Sequence, residues 1–230
     1  MAGRPTRAPG VGVLAALEGI ALISWNTIAT PFVGPRRREW GTVGTEAADE
    51  LPGDELVPEP KWSYTLGVGI EAPAEAVWPW IAQIGQGRGG FYTYQTLENL
   101  VGCRISNASE VLPEHQHPAV GDDIHLHPTV SMRLEIVDPP RSLVLVGSSE
   151  QFGTGDSRGR STWQFVVRPA PDGGSRLVTR GRYDFSQGWK GRLAFGRFPL
   201  EVITFVMSRK MMLEIKRLAE RAASSAQLNG

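Results

Sequence analysis

The chain has 230 residues, and its 24 basic and 24 acidic side chains cancel, so no net field draws it onto nucleic acid or another polyanion. Hydrophobic residues at 41% and charged residues at 21% belong to a folding chain, and the length suits one domain with an appendage. A single cysteine, Cys103, excludes an internal disulfide and a thiolate metal cluster.

Residues 11–33, VGVLAALEGIALISWNTIATPFV, are the longest apolar stretch, preceded by a basic tail (1–10, with Arg4 and Arg7) and followed by Arg36, Arg37 and Arg38. About nineteen helical residues at ~1.5 Å each approach the ~30 Å of a bilayer core, which makes this apolar helix a candidate transmembrane anchor. Glu18 near its middle, with Asn26 and Thr27 at its far end, weakens that reading. A secretory leader fits the basic start, but it puts a glutamate in the apolar region and offers only Thr27-Ile28-Ala29 for cleavage. A buried or interfacial helix is the third reading. Basic residues flank both ends, so charge does not set an orientation; the expectation is a membrane-associated protein whose domain is cytoplasmic. Residues 34–61 are punctuated by Gly34, Pro35, Gly41, Gly44, Pro52, Gly53, Pro58 and Pro60 and read as a linker or strap.

The folded domain is placed at 62–222, with 223–230 as a tail. In WSYTLGVGIE (62–71), Tyr64, Leu66, Val68 and Ile70 alternate as a strand with one buried face. APAEAVWPWIAQI begins a helix near Pro73 that Pro79 should break or kink. A second helical pattern covers 91–101, and a polar, Pro-rich loop follows over 102–123. Residues 130–137 alternate as a strand, and Asp138-Pro139-Pro140-Arg141 turns the chain into Leu143–Val146. STWQFVVRP and SRLVTRGRYDF are joined by Ala170-Pro171-Asp172-Gly173-Gly174, a hairpin in which Val167 opposes Leu177, Phe165 Thr179, Trp163 Gly181 and Ser161 Tyr183. Trp163, Phe165, Val167 and Tyr183 then share the concave face, Gly181 leaves room for the Trp163 ring, and Gln164, Arg180 and Arg182 point the other way. The last element is a helix from Pro199 to about Ala222, with a core stripe of Leu200, Ile203, Met207, Met211 and Leu218. Its further apolar residues, Val202, Phe205, Val206, Met212 and Leu213, exceed what one sheet covers, so a bilayer surface, a second subunit or the folded-back segment 11–33 must touch it.

A strand, two short helices, an antiparallel meander and a long C-terminal helix give an α+β architecture. This order, with IEAPAEAVWPWIAQIGQGRGGFYTYQTLENLVG at 70–102 and LPGDELVPEP at 51–60, resembles the START-like or SRPBCC superfamily, and within it the bacterial polyketide cyclase/dehydrase and lipid transport type. The resemblance covers about residues 40–220. It implies a helix-grip fold whose hydrophobic cavity lies between the C-terminal helix and a curved sheet. Members carry lipids, sterols or hormones, and some cyclise polyketides; no catalytic set carries over.

Gly85-Gln86-Gly87-Arg88-Gly89-Gly90 contains G-x-G-x-x-G, yet it follows a Pro-kinked helical pattern and opens no βαβ unit, so a tight crossover near the cavity mouth is the better reading, with Arg88 solvated or facing an anionic headgroup. His115, His117, His125 and His127 form two H-x-H pairs beside Glu114, Asp122 and Asp123. On a strand each pair would share a face and suit a first-row metal, but Pro113, Pro118 and Pro128 make the stretch irregular, so neither a metal nor another cofactor is expected. Phe91, Tyr92, Tyr94, Trp163, Phe165 and Tyr183, with Ile203, Met207 and Met211 from the helix, are the expected ligand-binding residues. Glu98, Arg180 and His125 are the titratable groups available for chemistry, without a triad-like partner. The expected function is binding or carriage of a small hydrophobic molecule, lipid-like or polyketide-like. A cyclase or dehydratase using the same cavity and an interaction module with a filled core are the alternatives.

Overall fold

The computed structural model describes residues 9–29, 36–148, 159–184 and 197–228. Helix α1 (Pro9–Ile28) is followed by a strap, 36–61, that contains a short 3₁₀ turn at Asp54–Leu56. Then come β1 (Trp62–Ile70), α2 (Ala74–Ala82), α3 (Gln95–Leu100), a second 3₁₀ turn at Pro113–His115 and the strands β2 (Asp123–His127), β3 (Val130–Asp138), β4 (Ser142–Ser148), β5 (Arg160–Pro169) and β6 (Ser175–Tyr183). Helix α4 (Arg197–Leu228) closes the chain. All six strands form one antiparallel sheet in the order β1-β6-β5-β4-β3-β2, so the first strand pairs with the last and α4 grips the sheet from its concave side. This is an α+β helix-grip fold.

The β5–β6 hairpin has the expected register, with Val167 opposite Leu177, Trp163 opposite Gly181 and Ser161 opposite Tyr183. The glycine does make room for a ring, but the ring belongs to Tyr64, its partner on β1; a Cβ at Gly181 would fall inside the Tyr64 ring. Trp163 instead leans toward Thr179, donating from Nε1 to Oγ1 at 3.2 Å.

Helix α2 runs through Pro79 to Ala82 without ending there. In nine residues the proline sits within two turns of the start, so few ladder bonds are at stake. The helix expected over 91–101 shrinks to Gln95–Leu100, because Tyr92 adopts a left-handed conformation (φ 59°) and Asn107 Oδ1 holds the Phe91 and Tyr92 N–H groups in a turn. Helix α4 runs past Ala222 into the expected tail, where Ser224 and Ser225 donate to the carbonyls of Glu220 and Arg221.

No helix among the described residues is long and apolar enough to cross a membrane, which corrects the transmembrane expectation. Helix α1 instead folds back onto α3 and α4. Its small residues make the approach possible: a side chain at Gly19 would collide with Leu97 and Tyr94, and Thr96 Oγ1 donates to the Gly12 carbonyl at 3.2 Å. Glu18, the misfit in an apolar segment, accepts a hydrogen bond from Tyr94 at 3.3 Å. Val13, Leu14, Leu17, Ile20, Trp25 and Ile28 remain exposed on the outward face. On α4, Phe205 is covered edge-on by Trp40, whose ring also lies under the Arg209 guanidinium at 5.1 Å.

The strap crosses the convex face of the sheet. Arg176, Arg180 and Arg182 project outward from β6 and read its backbone: Arg180 donates to the carbonyls of Glu46, Ala47 and Asp49, Arg182 to those of Val57 and Pro58, and Arg176 to that of Gly41. Asp54 anchors the centre, 2.5 Å from Arg180 and 3.2 Å from Arg182, with Gln164 donating to it at 3.1 Å. β1 is therefore buried on both faces from Tyr64 to Gly67, where a one-sided strand is expected.

Candidate functional site

A cavity of about 260 Å³ lies between α4 and the concave side of the sheet. Tyr64, Trp163 and Tyr183 form its floor, Leu126 and Met132 come from β2 and β3, and Phe91, Thr93 and Glu98 come from the α3 region. Ile203, Thr204, Met207, Ser208 and Met211 reach it from α4 at the i, i+1, i+4, i+5 and i+8 spacing of a single helix face. The walls are mostly aromatic and aliphatic. Trp163 packs at 6.0 Å from Phe91 and 4.8 Å from Phe165, and Trp62 stacks on Tyr183 at 4.7 Å, so the floor is braced from behind.

Two polar places interrupt these walls. At one, the Tyr64 hydroxyl bonds with the hydroxyls of Tyr183 and Ser208; burial pushes the Tyr64 phenol up to about 12 and lifts that of Tyr183 well above the ordinary phenol range, so both stay protonated in ordinary conditions. At the other, Glu98 Oε2 and the neighbouring Thr93 Oγ1 are buried side by side, with no hydrogen-bond partner among the described residues beyond each other. Burial lifts the Glu98 carboxyl above the usual carboxylate range, opposed only by the Thr93 hydroxyl. No cationic side chain among the described residues lines the cavity.

Of the nine expected ligand residues, Phe91, Trp163, Tyr183, Ile203, Met207 and Met211 line the cavity. Phe165 lies beneath Trp163, fully buried in the core. Tyr92 does not face the cavity: its hydroxyl accepts from Gln83 Nε2 at 2.9 Å and its ring meets Trp80. Tyr94 lies under α1, with Lys210 Nζ 5.6 Å above its ring. The left-handed turn at Tyr92 is the physical reason, because it rotates successive aromatic side chains onto different sides. Ile203 is 44% exposed, so it edges the cavity and is no core residue; the core side of α4 is instead Val202, Val206, Met211, Met212, Ile215, Leu218 and Ala219. The Leu200 side chain lies outside the described residues.

Of the three titratable candidates only Glu98 reaches the cavity. Arg180 is on the opposite face of the sheet, where burial draws its pKa down and Asp54 opposes the shift. His125 is exposed on the edge strand, and a register shift between His125 and His127 removes the shared face that a metal pair needs. Among the described residues no three His, Cys, Asp or Glu side chains gather as a metal set. Gly85 and Gly90 close their loop on each other through two 3.0 Å backbone bonds, and Arg88 is half-buried with Nη2 donating to the Ala82 carbonyl, so it is not the solvated side chain expected.

Tyr64, Thr93, Leu126, Met132, Thr204 and Ser208 are cavity residues that sequence reasoning does not single out. For Tyr64 the signal is present in the strand alternation; for Thr204 and Ser208 it is their helical spacing with Ile203, Met207 and Met211. The buried hub Gln83, which joins Tyr92, Gln116 and the Leu112 N–H behind the Phe91 turn, has no sequence signature.

No protein-family model matches the sequence, and no curated protein matches it. Among solved structures, the chain is similar to the hypothetical protein jhp0584 from Helicobacter pylori, at 11% identity and a TM-score of 0.46 over 77% of this chain and 99% of that one. It is also similar to protein MLL2253 from Mesorhizobium loti (17% identity, TM-score 0.42, 70% and 98% covered). A conserved protein from Geobacillus kaustophilus is a third (14%, 0.39, 70% and 97%). Likeness this loose says nothing about ligand or chemistry.

Proposed function

We propose that the chain binds a small, largely apolar molecule in the cavity under α4 and acts as a carrier or sensor, in the manner of the SRPBCC-type proteins its sequence resembles. The observation that supports this reading is a cavity of about 260 Å³ walled by aromatic, methionine and aliphatic side chains and interrupted by two small polar places. That volume is near the lower end of the ~300–1,000 Å³ range of ligand sites and suits a compact, ring-sized body better than a long acyl chain. Binding would be driven by removing the ligand's apolar surface from water, at roughly 25 cal/mol per Å², with the polar places fixing its orientation.

Catalysis finds less support. General acid–base work needs a donor and an acceptor poised around one reacting atom, whereas Glu98 is the one carboxylate in the lining among the described residues and the two phenols titrate too high to serve as bases near neutrality. The test is native mass spectrometry and organic extraction of the full chain purified from its own cells; the full chain is required because α1 and the strap pack against the domain. A stoichiometric small apolar adduct is the expected result. A bare chain that also fails to take up apolar dyes would sink the proposal, and turnover of an extracted molecule would replace it with the enzymatic reading.

A further inference from the structure

The cavity has a sign. Its one carboxylic acid among the described residues, Glu98, presents an oxygen that is shielded from water and, beyond the adjoining Thr93 hydroxyl, lacks a hydrogen-bond partner among the described residues. The rest of the lining contributes aromatic rings, which offer negative faces to whatever they enclose, three methionine sulfurs and hydroxyl oxygens. No lysine, arginine or histidine lines it among the described residues. An apolar ligand whose polar group is an anion would meet no countercharge and, at the Glu98 end, a like charge or a proton it must share. At low effective dielectric that repulsion is worth more than in water. A ligand that brings an N–H or O–H supplies what Glu98 Oε2 lacks, and a buried acceptor left unpaired costs more than a made hydrogen bond gains.

Resting on the reading of this cavity as a ligand site, we infer that Glu98 sorts ligands by charge: the cavity takes an apolar, ring-sized molecule bearing an alcohol, phenol or amine and rejects its anionic counterpart. Glu98 is thus the specificity-determining residue, receiving the ligand's donor while Trp163 and Phe91 hold its body. The upward displacement of the Glu98 carboxyl fits this assignment, since an acid with a cation beside it would be displaced the other way.

The inference separates from the proposed function in one experiment. Three probes share a naphthylmethyl body and carry an alcohol, a primary ammonium or a sulfonate, the last charged at every working pH. Each is titrated calorimetrically into the full-length chain near neutral pH. The alcohol and ammonium are expected to bind, and the sulfonate to bind about tenfold or more weakly. In Glu98→Gln, with folding checked by circular dichroism, the sulfonate should recover to within a few-fold of the alcohol, and the ammonium should lose any advantage over it. Equal binding of alcohol and sulfonate by the wild-type chain would overturn the inference while leaving the ligand site intact, and so would a Glu98→Gln chain with the wild-type order. Binding of none of the three would instead remove the ligand site itself. The wild-type order decides the matter if Glu98→Gln does not fold, and Glu98→Met provides a second variant.

Discussion

On the convex face of the sheet, the Arg180 guanidinium uses all five of its N–H groups, on Thr65, on Asp54 and on three strap carbonyls. On the concave side, across the cavity, Glu98 Oε2 and Thr93 Oγ1 have no partner among the described residues beyond each other. Both faces bury charge-capable side chains, yet on one the central Arg180–Asp54 pair is saturated by the chain itself, with the Gln164 amide oxygen left over, and the other is left short. A buried polar network that satisfies every member rigidifies the structure; one that is incomplete carries a standing cost that a ligand can relieve. The contrast assigns stability to the convex face and binding to the concave face, and it can be attacked from either side.

The largest effect is expected at Asp54. Its carboxylate joins Arg180 and Arg182 at the centre of the strap, and Asp54→Ala leaves two largely buried guanidinium groups short of their countercharge. Breaking one partner out of a buried pair costs about 3–5 kcal/mol, so the urea midpoint should fall steeply. A change below about 1 kcal/mol would mean that the carbonyls alone satisfy the arginines. Next comes Gly181→Ala, whose new methyl group falls inside the Tyr64 ring. Overpacking of this kind costs about 1–3 kcal/mol, and because Tyr64 is cavity floor, probe binding should weaken with stability. Retained binding at full strength would show that the floor repacks without loss.

These two positions also show what a reader of the sequence can and cannot find. The β5–β6 register is legible because a five-residue Ala-Pro-Asp-Gly-Gly turn fixes it locally and the alternation of Trp163, Phe165 and Val167 forbids a one-residue slip. The strap's course is not legible, because the arginines grip its backbone carbonyls, which every residue type presents alike. The trace it leaves is the outward set Gln164, Arg176, Arg180 and Arg182, too polar for a face buried under anything but acids and carbonyls. The cavity is legible through Trp163, Tyr183, Met207 and Met211, whose periods place them, and fails at Tyr92 and Tyr94, where one left-handed residue redirects the chain. The fate of residues 11–33 is open in sequence because an apolar helix with one glutamate fits a bilayer or a protein surface; the Tyr94 hydroxyl that receives Glu18 is 76 residues away.

A smaller and pH-dependent effect belongs to Glu98. A carboxyl displaced upward in the folded state binds its proton more tightly there than in the unfolded chain, so its contribution is present at low pH and is lost as pH rises through the folded value. Glu98→Gln removes the ionisable group. Its stability relative to wild type should therefore rise as pH increases from the ordinary carboxylate range through the raised folded value. Chemical denaturation of both chains across that range reads it directly, and a difference that is flat with pH would mean that Glu98 is hydrated in the unliganded chain.

The smallest effect is expected at Asp49, and it isolates burial as the variable. Asp49 belongs to the same strap as Asp54 and pairs with an arginine of the same sheet face, Arg168, at 2.7 Å. The distance is as short as many in the buried network, but the two side chains are 31% and 37% exposed, against 12% and 4% for Asp54 and Arg180. Water and salt screen the outer pair, and water takes either partner when the other is removed. Asp49→Asn should leave the urea midpoint near its wild-type value, and any loss should vanish in high salt. The Arg168 hydrogen bond holds the Asp49 carboxyl below its usual range, so whatever it contributes is present at neutral pH and disappears as pH falls through its folded value. A loss as large as that of Asp54→Ala would mean that the strap acts as one cooperative unit whose rim matters as much as its centre, and the division between a saturated face that stabilises and an unsaturated face that binds would then rest on the whole strap instead of on Asp54.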